Sequence, residues 1–358
     1  KIIIRNTSLK VFFCLAIFTF AFIPNSQLIK MANSNLTNAK NAKNDEFYTQ
    51  YHDIEKEMQA YLDYNPDMFR DKVVLLPCDD PEWSNFTKYF AQRFSELGLK
   101  KLISTSYVQP NHASSDAKGK IFTLSRDSNH DGVVDINDLE WKYLEGDGDF
   151  RSDEVTKLRD EADFIITNPP FSLFREFLGW IMDGGKTFAI IGSMNAITYK
   201  EVFPLIKDNK MWLGLYNGAK EYNLPNGDVQ KMGNTLWFTN VEHGKRHQPL
   251  NLDTMDNNLL VNSEIKKNPN SYQKYQNYHA IEVPRTNGIP SDYDGVMGVP
   301  ISFLDKYCPN QFEILGMDFE VKDGLLPALM NQDWQGKLDR PYIDNKRMYS
   351  RIFIQHKG

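Results

Sequence analysis

Asn168-Pro169-Pro170-Phe171 is the segment whose residue types and order most directly suggest chemistry. It follows the apolar run Asp163-Phe164-Ile165-Ile166-Thr167, whose composition predicts a buried strand, so the four residues fall at that strand's carboxyl end. Two consecutive prolines fix φ and remove two backbone donors, which leaves a stiff loop with outward carbonyls. An amino group conjugated to a ring becomes nucleophilic when two acceptors hold its N–H bonds and draw the lone pair out of the π-system. The side-chain oxygen of Asn168 and the carbonyl of Pro169 form such a pair, and Phe171 can stack on the ring. No strong base is needed beforehand, because the proton can leave after the new bond to nitrogen has formed. A Pro-Pro turn that merely ends a strand is the competing account.

Such a loop needs a sheet behind it. Lys72-Val73-Val74-Leu75-Leu76-Pro77 reads as a buried strand, followed by a helix over Trp83 to Phe90. Leu102 to Thr105 and Thr187 to Gly192 read as further strands, and Leu173 to Met182 as the helix after the Pro-Pro loop. Strands alternating with helices predict a mostly parallel sheet covered on both faces, a Rossmann-like α/β plan. From Met211 short aromatic strands, Trp212 to Leu215 and Thr235 to Phe238, predict a hairpin at the sheet edge. Strand character resumes at Val296 to Phe303 and Phe312 to Leu315, so the expected organisation is a lead-in over 1–44, a catalytic domain over 45–240 and a second module over 241–358.

At 358 residues with 41% hydrophobic and 13% aromatic content, the chain can bury a full core. Cys14, Cys78 and Cys308 are too few and too scattered for a disulfide framework or a zinc site, which points to a reducing, cytoplasmic setting. The apolar run Val11 to Ile23 behind a basic start has the anatomy of a secretory signal. Met31 opens an ordinary polar N-terminus, and the preferred reading starts the protein there, with no membrane association expected. The net charge of −6 gives no support to a nucleic-acid partner, although it does not exclude a local basic cleft.

Asn-Pro-Pro-Phe is similar to the fourth motif of amino-methyltransferases, and the surrounding sequence resembles the EcoRI-type adenine-specific DNA methyltransferase family. The likeness is carried by Asp45 to Tyr51, Cys78-Asp79-Asp80-Pro81 with Ser84-Asn85-Phe86, Gly146 to Ser152, Thr167 to Phe174, Ile197 to Phe203 and Asp294 to Pro300. It implies an S-adenosylmethionine-dependent methyltransferase sheet with a C-terminal target-recognition module, acting on adenine N6 of a base flipped from double-stranded DNA. A cognate restriction endonuclease is a further partner it suggests. Phe47, Tyr48 and Thr49 would pack on the methionine end of the cofactor, with a helix N-terminus and aromatic staple as the alternative. Cys78, Asp79 and Asp80 occupy the first strand-to-helix turn, where the usual Gly-x-Gly is absent; an Asp would then bond the cofactor's ammonium or ribose, or simply cap the helix. Asp149 and Phe150 would receive the cofactor adenine, carboxylate to its amino group and ring against its face. The residue that holds the ribose is not identifiable, since Ser104 to Tyr107 stands where an acid is expected.

Independently, Asp127, Asn129, Asp131, Gly132, Val133, Asp135 and Asp138 reproduce the twelve-residue spacing of an EF-hand calcium loop, with Val133 contributing its carbonyl. Asp at the twelfth position shortens the reach of the usual Glu. A structural calcium ion held by Asp127, Asn129, Asp131, Val133 and Asp138 is one expectation, and a polar insertion hairpin the other.

In the second module Lys245-Arg246, Lys266-Lys267 and Lys346-Arg347, with Tyr272, Tyr275 and Tyr278, are the candidate DNA contacts. From residue 240 onward fourteen Lys and Arg stand against fifteen Asp and Glu, so charge does not carry that assignment. The rival functions are methylation of RNA adenine or protein glutamine, which suits the same acceptor geometry, and DNA binding with a degenerate cofactor site.

Overall fold

A computed structural model describes residues 48–80, 84–108, 118–223 and 228–357. The expectations for the leader, Met31 and Phe47 lie outside these residues, as does the side chain of Tyr48. Among the described residues no helix is long and apolar enough to cross a membrane.

The unit Asp45–Gly358 is built on one large mixed sheet and a smaller one. Its heart is four parallel strands in the order β7-β6-β2-β3: β2 (Val73–Leu76), β3 (Lys101–Thr105), β6 (Phe164–Thr167) and β7 (Thr187–Ser193). Val74 lies opposite both Leu102 and Phe164, and Thr167 opposite Ile190. Every residue of β2 and β6 is buried, because helices cover both faces; this is why they read as unbroken apolar runs. From β2 the chain goes first to β3 on one side and later to β6 on the other. The carboxyl ends of β2 and β6 therefore flank the switch in strand order, where open α/β sheets bind ligands.

Two antiparallel additions flank this heart. On one side β4 (Lys120–Leu124) pairs with β3 and with β5 (Glu140–Tyr143). On the other, β10 (Val229–Thr239) pairs with β7, with β8 (Trp212–Leu213) and with β9 (Gly218–Asn223), and β1 (Tyr48–Thr49) closes the edge against β9. The Trp212 and Thr235 segments do pair, as β8 against β10 with Leu213 opposite Phe238, but β9 intervenes in the chain and β10 lies inside the sheet, so they are not the edge hairpin expected. The buried Glu57, on the helix Tyr51–Tyr64, fixes this edge by accepting from Tyr61 Oη (2.6 Å), Leu215 N (2.9 Å) and Tyr216 N (2.8 Å).

The second sheet has the order β11-β12-β16-β13: β11 (Ile281–Glu282), β12 (Met297–Val299), β13 (Phe312–Met317) and β16 (Ile352–His356). A separate pair, β14 (Tyr342–Ile343) and β15 (Lys346–Arg347), lies outside it. One apolar core runs from Ile165 and Phe188 of the first sheet to Met297, Phe312 and Ile354 of the second. Phe203 meets Phe319 edge-on at 5.9 Å, and Lys207 pairs with Glu320. Tyr275 and Tyr278 belong to a separate small core with Phe353, not to a DNA-facing surface as expected: Tyr278 is 1% exposed and donates to the Leu338 carbonyl. Arg246 is likewise buried, 3.5 Å over the Trp212 ring and paired with Glu242.

Candidate active site

Thr167 ends β6, and Asn168 to Phe171 leave the sheet at the switch point. Asn168 and Pro170 are half-buried, whereas Pro169 and Phe171 are buried. The Pro170 carbonyl accepts from Leu173 N at 2.9 Å, closing a short 3₁₀ turn that leads into the helix Phe174–Asp183. Alongside, β7 runs three residues beyond the partner of Thr167. A Cβ on Gly192 would stand 2.4 Å from the Phe174 ring, so glycine there lets the helix that follows the loop pack directly on β7.

At the end of β2, Asp79 is 5% exposed and joins three strand ends. Its Oδ2 accepts from Thr167 Oγ1 at 2.5 Å and its Oδ1 from Ser84 Oγ at 2.7 Å. Ser84 in turn caps the helix Asn85–Gln92, accepting from Phe86 N and Thr87 N. Ser104 of β3 donates to the Asp79 carbonyl and bonds Thr87 Oγ1 at 2.9 Å, while Thr105 donates to the Pro77 carbonyl at 3.0 Å. Side-chain hydroxyls thus shape the turn in which glycines are missing. Burial pushes the Asp79 carboxyl up to about 7, against the opposing pull of Thr167 and Ser84. Both Asp79 oxygens are spent inside the fold, and Cys78 and Asp80 are the half-buried members of the turn.

Thr49 comes to the same place from the far edge of the sheet. Its carbonyl accepts from Asn85 Nδ2 at 2.8 Å, at the first turn of the helix that Ser84 caps. Thr49 is 2% exposed, and its buried Oγ1 has no partner among the described residues, a polar atom available to a ligand.

Asp149 and Phe150 stand beyond β3. Gly148 has φ +87°, and a Cβ there would fall 2.1 Å from the Ser106 carbonyl oxygen. That contact, with Val108 N to Asp147 O and Gly119 N to Gly146 O, both 2.9 Å, seats the loop on the end of β3. The Arg151 guanidinium donates to both Asp149 oxygens, at 2.9 and 2.6 Å, and holds the carboxyl below its usual range. Phe150 packs edge-on against Phe177 and Trp180, with Arg151 over its ring.

The EF-hand-like segment is the tip of the β4–β5 hairpin. Asp127 accepts from His130 N and Gly132 N; Asn129, Asp131 and Asp135 each accept from the backbone two residues on. Asp138 takes amides from Asp135, Asn129 and Ser128, which hold its carboxyl low. Backbone donors occupy the side chains expected to ligate. Among the described residues no group of three or more His, Cys, Asp or Glu could hold a metal ion. The calcium expectation is therefore not supported, and the segment is the polar insertion hairpin.

Sequence reasoning also missed a cavity of about 420 Å³ just past β7, lined by Met194, Asn217, Arg285, Asn287, Ser302 and Lys306. Its lining residues are scattered from 194 to 306 and only the fold brings them together, which gave no local signal.

A parallel sheet with an acid-bearing first turn and an Asn-Pro-Pro-Phe loop on the adjoining strand end defines the class of S-adenosylmethionine-dependent amino-methyltransferases. Residues 35–357 match the model of the family described as "Adenine-specific methyltransferase EcoRI". The chain belongs to that family. It is 44% identical over 344 residues to the Type II methyltransferase M.EcoRI of Escherichia coli, covering 91% of this chain and 97% of that protein. It is 34% identical over 341 residues to the Type II methyltransferase M.MpnI of Mycoplasma pneumoniae, covering 89% and 97%. A solved RNA methyltransferase candidate from Pyrococcus horikoshii superposes with a TM-score of 0.28 at 15% identity, over 53% of this chain and 85% of its own, too loosely to bear on the argument.

Proposed function

We propose that this chain methylates adenine N6 in a specific sequence of double-stranded DNA, beside a cognate restriction endonuclease, and that Asn168 to Phe171 form its catalytic loop. The observation that carries the proposal is the position of this loop, at the switch point and next to the first turn. The Asn168 side-chain oxygen and the Pro169 carbonyl accept the two N–H bonds of the amino group and turn its lone pair outward. Pro170 stiffens the loop. Phe171, buried before substrate arrives, stacks on the flipped ring once the loop opens to it.

S-adenosylmethionine, when bound, supplies the electrophilic methyl group for in-line transfer. Thr49, with its buried hydroxyl, borders the methionine end. Cys78 and Asp80 border the centre, and Asp149 and Phe150 the adenine. Asp79 supports the turn from beneath. Residues 241–358 form the target-recognition module, and the cavity past β7 opens between it and the catalytic residues 45–240.

Incubation with tritiated S-adenosylmethionine and genomic DNA, followed by nucleoside analysis, tests the proposal. Label in N6-methyldeoxyadenosine is expected. Label in RNA or in protein glutamine would refute it. Asn168→Ala should abolish transfer and leave cofactor binding within about twofold of wild type, since the loop makes its bonds to the amino group and not to the donor.

A further inference from the structure

We propose that Asp79 and Thr167 form a positioning pair that locks the catalytic loop to the cofactor turn, so that Asn168 stands in register with the incoming methyl group. The proposal rests on Asn168 as the acceptor of the amino group. Thr167 is fully buried, immediately precedes Asn168 and spends its hydroxyl on Asp79 Oδ2 at 2.5 Å. The other Asp79 oxygen takes Ser84 Oγ, the cap of the helix at the cofactor turn, at 2.7 Å. One carboxyl group thereby ties the last residue before the loop to the first turn of that helix. Ser104 anchors the Asp79 backbone from a third strand.

The two sides of methyl transfer are carried by different strands, and backbone pairing between β2 and β6 stops at Leu75 and Ile165, short of both loops. Beyond that point the Asp79–Thr167 bond links the two strand ends. Rates of oriented transfer fall about 10²-fold for a misplacement near 1 Å. A pair that fixes the relative height of the two loops would therefore act on the transfer step and not on ligand affinity.

The test is single-turnover methylation of a duplex with labelled S-adenosylmethionine, run beside equilibrium binding of the cofactor and thermal unfolding. Thr167→Val keeps the volume and removes the donor; it should slow transfer about 10- to 100-fold with cofactor affinity within about twofold. Thr167→Ser, which restores the hydroxyl, should recover most of the rate. Asp79→Ala also loses the Ser84 contact, so adding Thr167→Val to it should slow transfer little further, as expected for one shared interaction between the two residues. Transfer by Thr167→Val within about twofold of wild type would overturn the proposal, as would a loss confined to cofactor affinity. If Thr167→Val fails to fold, Thr167→Cys against Thr167→Ser makes the same comparison, and equal rates would overturn it. Asn168→Ala separates the two levels. Activity retained there removes the catalytic loop itself, whereas activity lost there but kept in Thr167→Val removes only the positioning pair.

Discussion

Replacing Gly148 by Ala should detach the loop that carries Asp149 and Phe150. At φ +87° a side chain costs about 1–2 kcal/mol. The new Cβ would also stand 2.1 Å from the Ser106 carbonyl oxygen, which rotamer adjustment cannot relieve, so the loop must lift. Lifting breaks the bonds of Val108 N to Asp147 O and Gly119 N to Gly146 O, each about 1 kcal/mol net. Together these come to about 3–4 kcal/mol, which cofactor binding must recover if it requires the loop seated. At 1.4 kcal/mol per factor of ten, affinity should fall about 10²-fold or somewhat more. Calorimetric titration with S-adenosylmethionine reads this directly. Gly146→Ala is the control, because a Cβ there meets nothing within 4 Å and should leave affinity unchanged. Binding by Gly148→Ala within about threefold of wild type would refute the role given to this loop.

Glu57→Ala strips the partner from two backbone amides and Tyr61 Oη in a buried site, and should cost about 3 kcal/mol or more in urea unfolding; a loss below about 1 kcal/mol would contradict the clamp. Burial pushes the His243 imidazole down to about 4, with the Leu213 carbonyl opposing, so the neutral ring belongs to the folded state. Because its folded value lies below the ordinary 6.5, the stability it confers is complete above about pH 6.5 and is lost as pH falls toward 4. His243→Gln should flatten that part of the profile, and an unchanged profile would remove His243 as its source.

The parallel strands were legible because both faces are covered, which turns Val73 to Leu76 and Phe164 to Thr167 into unbroken apolar runs. Exposed edges leave no such trace. Every residue of Glu140–Tyr143 is exposed, and the strand exists through its pairing with β4. The loop proposed as catalytic was legible because its residue types lie in four consecutive positions, Asn168 to Phe171. The part played by Asp79 was not, since one of its partners is 88 positions away and only the fold brings them together. The calcium-like spacing misled for the opposite reason. Short Asp and Asn side chains at alternate positions satisfy nearby amides just as readily as a cation, and the sequence pattern is the same in both cases. Tyr275 and Tyr278, read as surface aromatics among basic residues, fill a small core beneath Phe353, which lies in a strand the sequence did not announce.

That strand bears on how the protein is made. β16 lies between β12 and β13 and bonds to both, so an inner member of the second sheet is the latest of its strands to be synthesised. While the ribosome is still short of residue 352, the facing edges of β12 and β13 have nothing to join them, and the sheet cannot close. Closure of the sheet thus waits on the synthesis of β16, and a nascent chain stalled before this point holds an open template that would pair with whatever strand it meets. A nick or frameshift within Ile352–His356 should cost far more than its length suggests, and chaperone dependence should concentrate in this stretch.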